Sequence, residues 1–437
     1  MRCGFTKESY MITALTISVI TCAGLISSVL LFPKLKIGKI TFATYWPICL
    51  LGAIFMLVFG AISPSEAWQG LTASSAVNPL KILVLFISST LLSVYLDEVG
   101  FFRFLAVFAT KKAKKSQRSL FLILYTVVSI LTVFTSNDIV ILTFTPFICY
   151  FAKHSKINPI PYLVAEFAGA NTWSMMLIIG NPTNVYLATS AGIGFIEYFK
   201  VMAIPTLLSG IAQLLTLLLI FRKSLKAPLQ VSDEEQPLPD FHRAYVGLIH
   251  LAVCLILLVI SSYIGLEMWL VCLLCALSLC ACVVIVSFGK NERPKALGRT
   301  VARLPWALIP FVLSMFVLVL ALNKQGFTHS VSELLQKGNS LITYGVSSFF
   351  ACNLMNNIPM SVLFSRITND LPSVYATIVG SNIGAFLTPI GALAGIMFTG
   401  LIAKQDIKYP FPKFVGYGIL ISLPTLAAAL LGLGFIL

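Results

Sequence analysis

The sequence predicts an all-α polytopic membrane protein made of two inverted repeats. Each repeat is predicted to contain five membrane spans and one re-entrant hairpin, with helices that break near the middle of the bilayer. Three observations lead to this prediction: an apolar composition, the distribution of Lys and Arg among the loops, and landmarks that recur at matched spacings.

The composition sets the class of protein. Of the 437 residues, 58% are hydrophobic and only 11% are charged, and the mean hydropathy is +0.94. Soluble domains average about 25% charged residues, so a large soluble domain is excluded. The net charge of +14 comes from Lys and Arg in short loops between apolar runs, a pattern typical of membrane topology. We therefore predict contact with membrane lipid and no nucleic-acid partner.

Ten spans follow one another along the chain. In the first half they lie near residues 10–32, 45–62, 79–96, 162–190 and 199–221. In the second half they lie near 244–264, 266–288, 305–322, 373–402 and 413–437. A polar cytoplasmic linker, 222–243, contains SDEEQPLPD and separates an N-terminal repeat, 1–221, from a C-terminal repeat, 244–437.

The loop charges predict the orientation. Basic residues concentrate in 33–44, 97–118, 153–161, 222–226, 289–304 and 403–412. The loops between these segments are poor in Lys and Arg. Because basic loops stay in the cytoplasm, the first set is predicted to be cytoplasmic and the N-terminus external. The predicted location is the cytoplasmic (inner) membrane.

Two interrupted apolar segments are predicted to be re-entrant hairpins. The arms 119–135 and 138–152 are shorter than the roughly 20 residues of a full span. Basic loops flank both ends of this pair, so it enters and leaves from the cytoplasm, with its tip in TSNDIV. Residues 340–365, with LMNNIP at the tip, are predicted to enter from outside.

Matched landmarks indicate an internal duplication. The matched pairs are Pro79 and Gly100 with Pro305 and Gly326, then Asn171 and Gly180 with Asn382 and Gly391. Because each half holds an odd number of spans, the second copy must insert upside down. Inverted repeats with broken segments at the midplane are typical of secondary transporters.

Polar residues at the predicted breaks are the candidate substrate- and ion-binding residues. They are Ser136, Asn137, Asp138, Asn171, Gly180, Asn181, Thr183, Asn353, Asn356, Asn357, Asn382 and Thr388. Non-helical backbone at membrane depth persists only where protein or a water-filled cavity satisfies it. Half-helices that begin there point their free N–H groups inward, which suits a small polar solute or an anion, and carbonyls freed at the breaks suit a cation as the alternative. Helix capping and kinking stay open as alternative roles.

Asp138 is the acid predicted at a hairpin tip. Burial favours the neutral form of a carboxyl group, so Asp138 is a candidate to bind and release the coupling proton. A purely structural cap is the alternative. Glu166 is predicted to be interfacial, near the cytoplasmic edge, with a role in the access path as the alternative.

No catalytic or nucleotide-binding pattern accompanies these residues. The sequence has no G-x-x-x-x-G-K-[ST] loop and no enzyme constellation, so we predict gradient-driven transport without a cofactor or a bound metal.

Four stretches resemble a known superfamily. They are SNDIVILTFTP, AGANTWSMMLIIGNPTNVYLATSAGIGFIEYFK, NLMNNIPMSVLF and GSNIGAFLTPIGALAGIMF. Here the sequence resembles the ion-transporter superfamily, in its branch of arsenite permeases and sodium/proton antiporters, which is anion-permease-like. The resemblance implies a homodimeric transporter coupled to protons or sodium. It also implies that the solute lies between the two hairpin tips and the two broken helices.

The resemblance leaves several functions open. Efflux of arsenite or antimonite is the first, and a carboxylate or inorganic anion symporter, or a sodium/proton antiporter, is the second. Many arsenite permeases carry an acid where this chain has Asn171 and Thr172, and sodium–carboxylate symporters have Ser-Asn-Thr where it has Ser136 to Asp138. A channel is a further alternative, because re-entrant hairpins also line pores. A separate ATPase subunit is compatible with the sequence.

Overall fold

The computed structural model describes residues 7–32, 34–37, 40–72, 78–112, 116–227, 240–289, 291–405 and 407–437. Across these ranges the chain is helical apart from turns and one short β-hairpin, which confirms the predicted class. Most of the predicted linker, residues 228–239, lies outside the described residues. The division into two repeat domains stays a prediction.

The first half begins with α1 (Lys7–Leu31), and the hairpin of β1 (Lys34–Ile37) and β2 (Ile40–Ala43) connects it to α2. Its other helices are α2 (Tyr45–Val58), α3 (Pro64–Thr72), α4 (Pro79–Glu98), α5 (Phe101–Lys112), α6 (Gln117–Phe134), α7 (Asn137–His154), α8 (Ile160–Trp173), α9 (Pro182–Ser190) and α10 (Phe195–Phe221). A 3₁₀ turn, Ile178–Gly180, lies between α8 and α9, and another, Ser224–Lys226, follows α10.

The second half has a matching order of helices. They are α11 (Phe241–Ile264), α12 (Met268–Gly289), α13 (Lys295–Ala302), α14 (Leu308–Lys324), α15 (Phe327–Leu335), α16 (Ser340–Met355), α17 (Asn357–Phe364), α18 (Leu371–Gly384), α19 (Leu393–Ala403) and α20 (Phe411–Gly434). The element order of the two halves therefore corresponds, while the inversion of the second copy stays a prediction.

Seven helices of the described part are long and apolar enough to cross a bilayer, or eight if the bent pair of α14 and α15 counts as one span. The protein is thus a multi-pass membrane protein. The predicted interruptions are present, since each hairpin is two helices and the spans 162–190 and 373–402 are each broken into two. The helices α3, α5, α13 and α15 lie in segments that were predicted to be loops. Each of these helices is too short to contain the apolar run of roughly 20 residues by which spans were predicted from the sequence.

The halves interlock through their long helices. The helix α4 packs on α11 and α12, while α14 packs on α1 and α2. We call these six the frame helices. The second arm of each hairpin also contacts the broken helix of the other half, α7 against α19 and α17 against α9. The second arm of each hairpin therefore meets part of a broken helix that the other half of the chain provides.

Ion pairs tie the ends of the frame helices α4 and α14 to neighbouring elements of the other half. On the side predicted to be cytoplasmic, Arg303 pairs with Asp97 and Glu98 at the end of α4. On the other side, Lys324 Nζ lies 2.7 Å from Glu66 Oε2, and this hydrogen bond is the main reason that the pKa of Glu66 falls to about 2. Each of these pairs joins the first half of the chain to the second.

Candidate functional site

The tip of the first hairpin is a short extended break. The helix α6 ends at Phe134, and Ser136 occupies the N-cap position of α7 in an extended conformation. Its hydroxyl group is buried and makes no capping bond, so the hypothesis that this side chain caps α7 is wrong. Asn137 Nδ2 instead donates to Asn171 Oδ1 of α8, at 3.0 Å, which fixes the tip against the first broken helix.

Asp138 is half-buried in the first turn of α7. Its side chain makes no hydrogen bond or ion pair with any residue that the structure describes. The frame residue Tyr45 is near enough to interact with it electrostatically. The carboxyl group is thus free to exchange a proton or to contact a solute.

The two broken helices meet in a network of amides. Asn181 Nδ2 donates to Asn382 Oδ1 at 2.8 Å, and Asn382 Nδ2 donates to Asn184 Oδ1 at 2.7 Å. Ser174 Oγ also donates to Asn382 Oδ1, at 3.0 Å. The structure therefore unites two predicted residues from different halves. It adds Ser174 and Asn184, which both lie in the stretch AGANTWSMMLIIGNPTNVYLATSAGIGFIEYFK quoted above.

Close backbone approach explains a glycine in this network. A Cβ on Gly180 would lie 2.2 Å from the backbone oxygen of Ser174, so only glycine fits. The Asn181 side chain caps α9 by accepting from the Thr183 backbone N–H at 3.2 Å. Capping and inter-helix contact are thus combined in one asparagine.

The tip of the second hairpin is docked on the second broken helix. Asn356 Nδ2 donates to the Ile390 carbonyl at 2.9 Å, and the Asn357 N–H donates to the Gly391 carbonyl at 3.0 Å. Nearby, Thr388 Oγ1 donates to Asn353 Oδ1 at 2.7 Å. Of the predicted residues, Asn353 and Thr388 therefore contact each other, whereas Asn356 and Asn357 contact the backbone of the second broken helix.

The backbone of Asn356 is strained. Its φ of 73° and ψ of 152° lie in a region that residues other than glycine rarely occupy. Such conformations persist only where the surroundings enforce them, and here the docked tip does so.

The helix starts show which residues correspond between the two tips. Because α7 starts at Asn137 and α17 at Asn357, the counterpart of Asp138 is Ile358, a buried member of the apolar core between the frame helices. The two tips therefore differ in one acid and one apolar side chain.

At each of the four breaks, or within one helical turn of it, lies a buried polar oxygen without a hydrogen-bond partner among the described residues. These atoms are Ser136 Oγ, Thr183 Oγ1, Asn357 Oδ1 and Ser381 Oγ. Buried polar groups are nearly always paired in folded proteins, so such atoms call for a solute or water. Three of the four belong to residues predicted from the sequence, and Ser381 is the one that was missed.

A large cavity approaches the first hairpin from the side predicted to be cytoplasmic. Its volume is about 700 Å³, and its lining includes Asp97, Arg103 and Arg303 at the loop ends and Leu142 and Tyr150 on α7. None of the twelve predicted residues lines it. However, Leu142 is one helical turn from Asp138. The sequence did not reveal this cavity, because segments far apart in the chain form it.

Glu166 is buried rather than interfacial. Only 2% of it is exposed, and both carboxyl oxygens accept from Thr145 Oγ1 of α7, at 3.1 and 3.0 Å. The prediction of an interfacial position was wrong because α7 packs against α8 and covers this face. In the ranges that the structure describes, no group of three or more His, Cys, Asp or Glu side chains is arranged to hold a metal ion.

Comparison with protein families and curated proteins gives consistent matches. A family model described as a citrate transporter matches residues 40–371. The arsenical pump membrane protein of Escherichia coli K12 is 26% identical over 415 residues, covering 89% of this chain and 93% of that protein. A putative arsenical pump membrane protein of Bacillus subtilis is 24% identical over 406 residues, covering 85% of this chain and 89% of that protein.

Two solved structures share the fold. The YdaH transporter of Alcanivorax borkumensis aligns with a TM-score of 0.54 at 14% identity, covering 97% of this chain and 98% of that one. MtrF of Neisseria gonorrhoeae, described among antimetabolite efflux pumps, aligns with a TM-score of 0.55 at 13% identity, covering 99% and 95%. At these identities the likeness concerns the fold alone.

Proposed function

Because the chain belongs to the citrate transporter family, we propose that it is a secondary active transporter of a small inorganic solute or anion, coupled to protons. Its relatives are named as pumps and transporters, which supports a role in transport rather than catalysis. We place it in the cytoplasmic membrane and expect a homodimer.

The observation that carries this proposal is the set of four unpartnered oxygens, one at or near each break. They belong to two hairpins and two broken helices, and the amide network between Asn181 and Asn382 joins the breaks of both halves. A small solute rich in O–H groups, or a hydrated anion, would supply the missing hydrogen bonds. The amide and hydroxyl lining would favour a polar solute over an apolar one.

Asp138 is our candidate for the proton carrier. Its carboxyl group has no partner in the described part of the chain, and it lies one turn beyond the end of the large cavity. Protons from the cytoplasm could therefore reach it through water in that cavity. A sodium ion at the same tip is the alternative coupling ion.

Two solute classes have specific support. The names of the curated relatives favour arsenite or antimonite efflux, whereas the description of the family model favours a carboxylate anion such as citrate. A separate ATPase subunit would be relevant only to efflux of arsenite or antimonite.

Purified full-length protein in liposomes would test the proposal. We expect accumulation of arsenite or citrate under an imposed proton gradient, and we expect Asp138→Asn to abolish that accumulation. The matched control is Glu333→Gln, which removes an exposed acid of α15 and should transport normally. Full proton-driven accumulation by Asp138→Asn would refute the coupling role, and rapid flux indifferent to both proton and sodium gradients would indicate a channel.

A further inference from the structure

We infer that Arg366 and Tyr186 form an oxyanion-binding site at the outer end of the second hairpin. The inference rests on the proposed transport function and narrows its solute to the anionic class. Arg366 follows α17, in a loop predicted to face outside. Its Nε is buried without a hydrogen-bond partner, and its guanidinium makes no ion pair with any acid that the structure describes.

Tyr186 contributes a second unpartnered donor. Only 2% of this residue is exposed, yet its hydroxyl group makes no well-aligned hydrogen bond in the described part of the chain. The hydroxyl lies close to Ser365, the residue that precedes Arg366 in the chain. A cation and a hydroxyl donor therefore converge where the outer end of α17 packs on α9.

The surroundings hold the cation in place without neutralising it. The guanidinium carbon of Arg366 lies 5.7 Å from the ring centroid of Phe316, on the frame helix α14. Ring stacking orients the planar guanidinium but leaves its N–H groups free. Carboxylates and other oxyanions are the ligands that match a guanidinium together with a neutral hydroxyl donor.

The position of the site indicates its role. The eight residues of α17 separate Arg366 from the hairpin tip, a distance of about 12 Å along the helix. The pair Arg366 and Tyr186 also bridges elements of both halves, next to a frame helix. We therefore assign it to capture or release of the anion on the outer path, before or after the solute occupies the breaks. This assignment favours a carboxylate over neutral arsenous acid.

Chemical protection tests the site without any transport. Full-length protein in phosphatidylcholine liposomes is treated with the arginine reagent phenylglyoxal, and modification of Arg366 is read by peptide mass spectrometry. We expect citrate, and inorganic phosphate more weakly, to slow this modification several-fold. Failure of both to protect would overturn the site. Protection by phosphatidylglycerol in the bilayer, without protection by citrate, would identify a lipid phosphate as the ligand and would also overturn it.

Transport by variants tests the role. A hydrogen bond to a charged group contributes about 1.5–3 kcal/mol, so Arg366→Gln should raise the external half-saturation concentration for citrate about 10- to 150-fold. The maximal rate should change little, Arg366→Lys should recover part of the loss, and Tyr186→Phe should cost several-fold. The matched control Lys337→Gln removes an exposed charge from the same predicted side and should behave as wild type.

The outcomes separate this inference from the proposed function. An unchanged half-saturation concentration in Arg366→Gln would overturn the site while leaving the protein a transporter. Wild-type liposomes that move neither citrate nor arsenite under any gradient would instead overturn the proposed function, and the protection assay would still decide the anion site.

Discussion

The strained asparagine at the second hairpin tip gives a quantitative prediction. In Asn356→Ala the hydrogen bond to the Ile390 carbonyl is lost and that buried oxygen is left unpaired, which costs about 1–3 kcal/mol. The backbone strain is the same before and after this change, so it does not alter the difference. We therefore expect Asn356→Ala to lower the free energy of unfolding by about 1–3 kcal/mol.

Asn356→Gly loses the same hydrogen bond but also relieves the backbone. A non-glycine residue in this region costs about 1–3 kcal/mol, which glycine recovers. The extra freedom of glycine in the unfolded chain costs about 0.4–1 kcal/mol. We therefore expect the glycine variant to lie close to wild type and above the alanine variant by about 1–2 kcal/mol.

Unfolding free energies from SDS titration in mixed micelles would measure this gap. Asn323 in the last turn of α14 provides the control, because its side chain also takes part in a hydrogen bond, here accepting from Thr328 Oγ1, but its backbone is helical. There the order should reverse, since glycine is about 0.8–1 kcal/mol worse than alanine in a helix. An Asn356→Gly variant no more stable than Asn356→Ala would refute the argument from strain.

Three further predictions follow from contacts away from that tip. The Lys324 hydrogen bond lowers the pKa of Glu66 in the folded protein to about 2, whereas the pKa in the unfolded chain is about 4.3. The pair therefore stabilises the protein at pH values above about 4.3, and this contribution is lost as the pH falls towards 2. Glu66→Gln should flatten the acid limb of a curve of unfolding free energy against pH, and an unchanged limb would contradict this. Gly180→Ala should prevent correct closure of the first break, seen as loss of monodisperse protein on size exclusion, and normal yield would show that the backbone can shift. Thr145→Val should cost about 1–3 kcal/mol of unfolding free energy by leaving the buried Glu166 without its donor, whereas Thr145→Ser should retain most of the stability; equal losses would indicate that packing dominates.

The sequence was sufficient to place the breaks and most of the polar residues at them. Asn, Pro and Gly within apolar runs have a local physical meaning, so the break around Asn181 and the break in LMNNIP were both predicted. Apolar runs of about 20 residues likewise predicted α11 and α12 within a few residues.

Features that depend on packing were not predictable. Glu166 looked interfacial because its depth was counted along its own helix, whereas its burial depends on α7, which covers it. The short helices such as α5 were assigned to loops because no long apolar run marks them. The sequence likewise could not predict that Arg366 Nε has no hydrogen-bond partner, because this depends on how three separate elements pack around the side chain.

The interlocking of the frame helices has a consequence for biosynthesis. The buried side chains of α4 include Ser88, Ser89 and Ser93, and the helices it packs on are completed about 190 residues later in the chain. At about 5–20 residues per second, α4 spends about 10–40 s in the bilayer before α11 and α12 arrive. The helix α14 has no such delay, because α1 and α2 precede it. Assembly of the two halves is therefore unequal in time, and the first half is the one that an insertase or chaperone must shelter during translation.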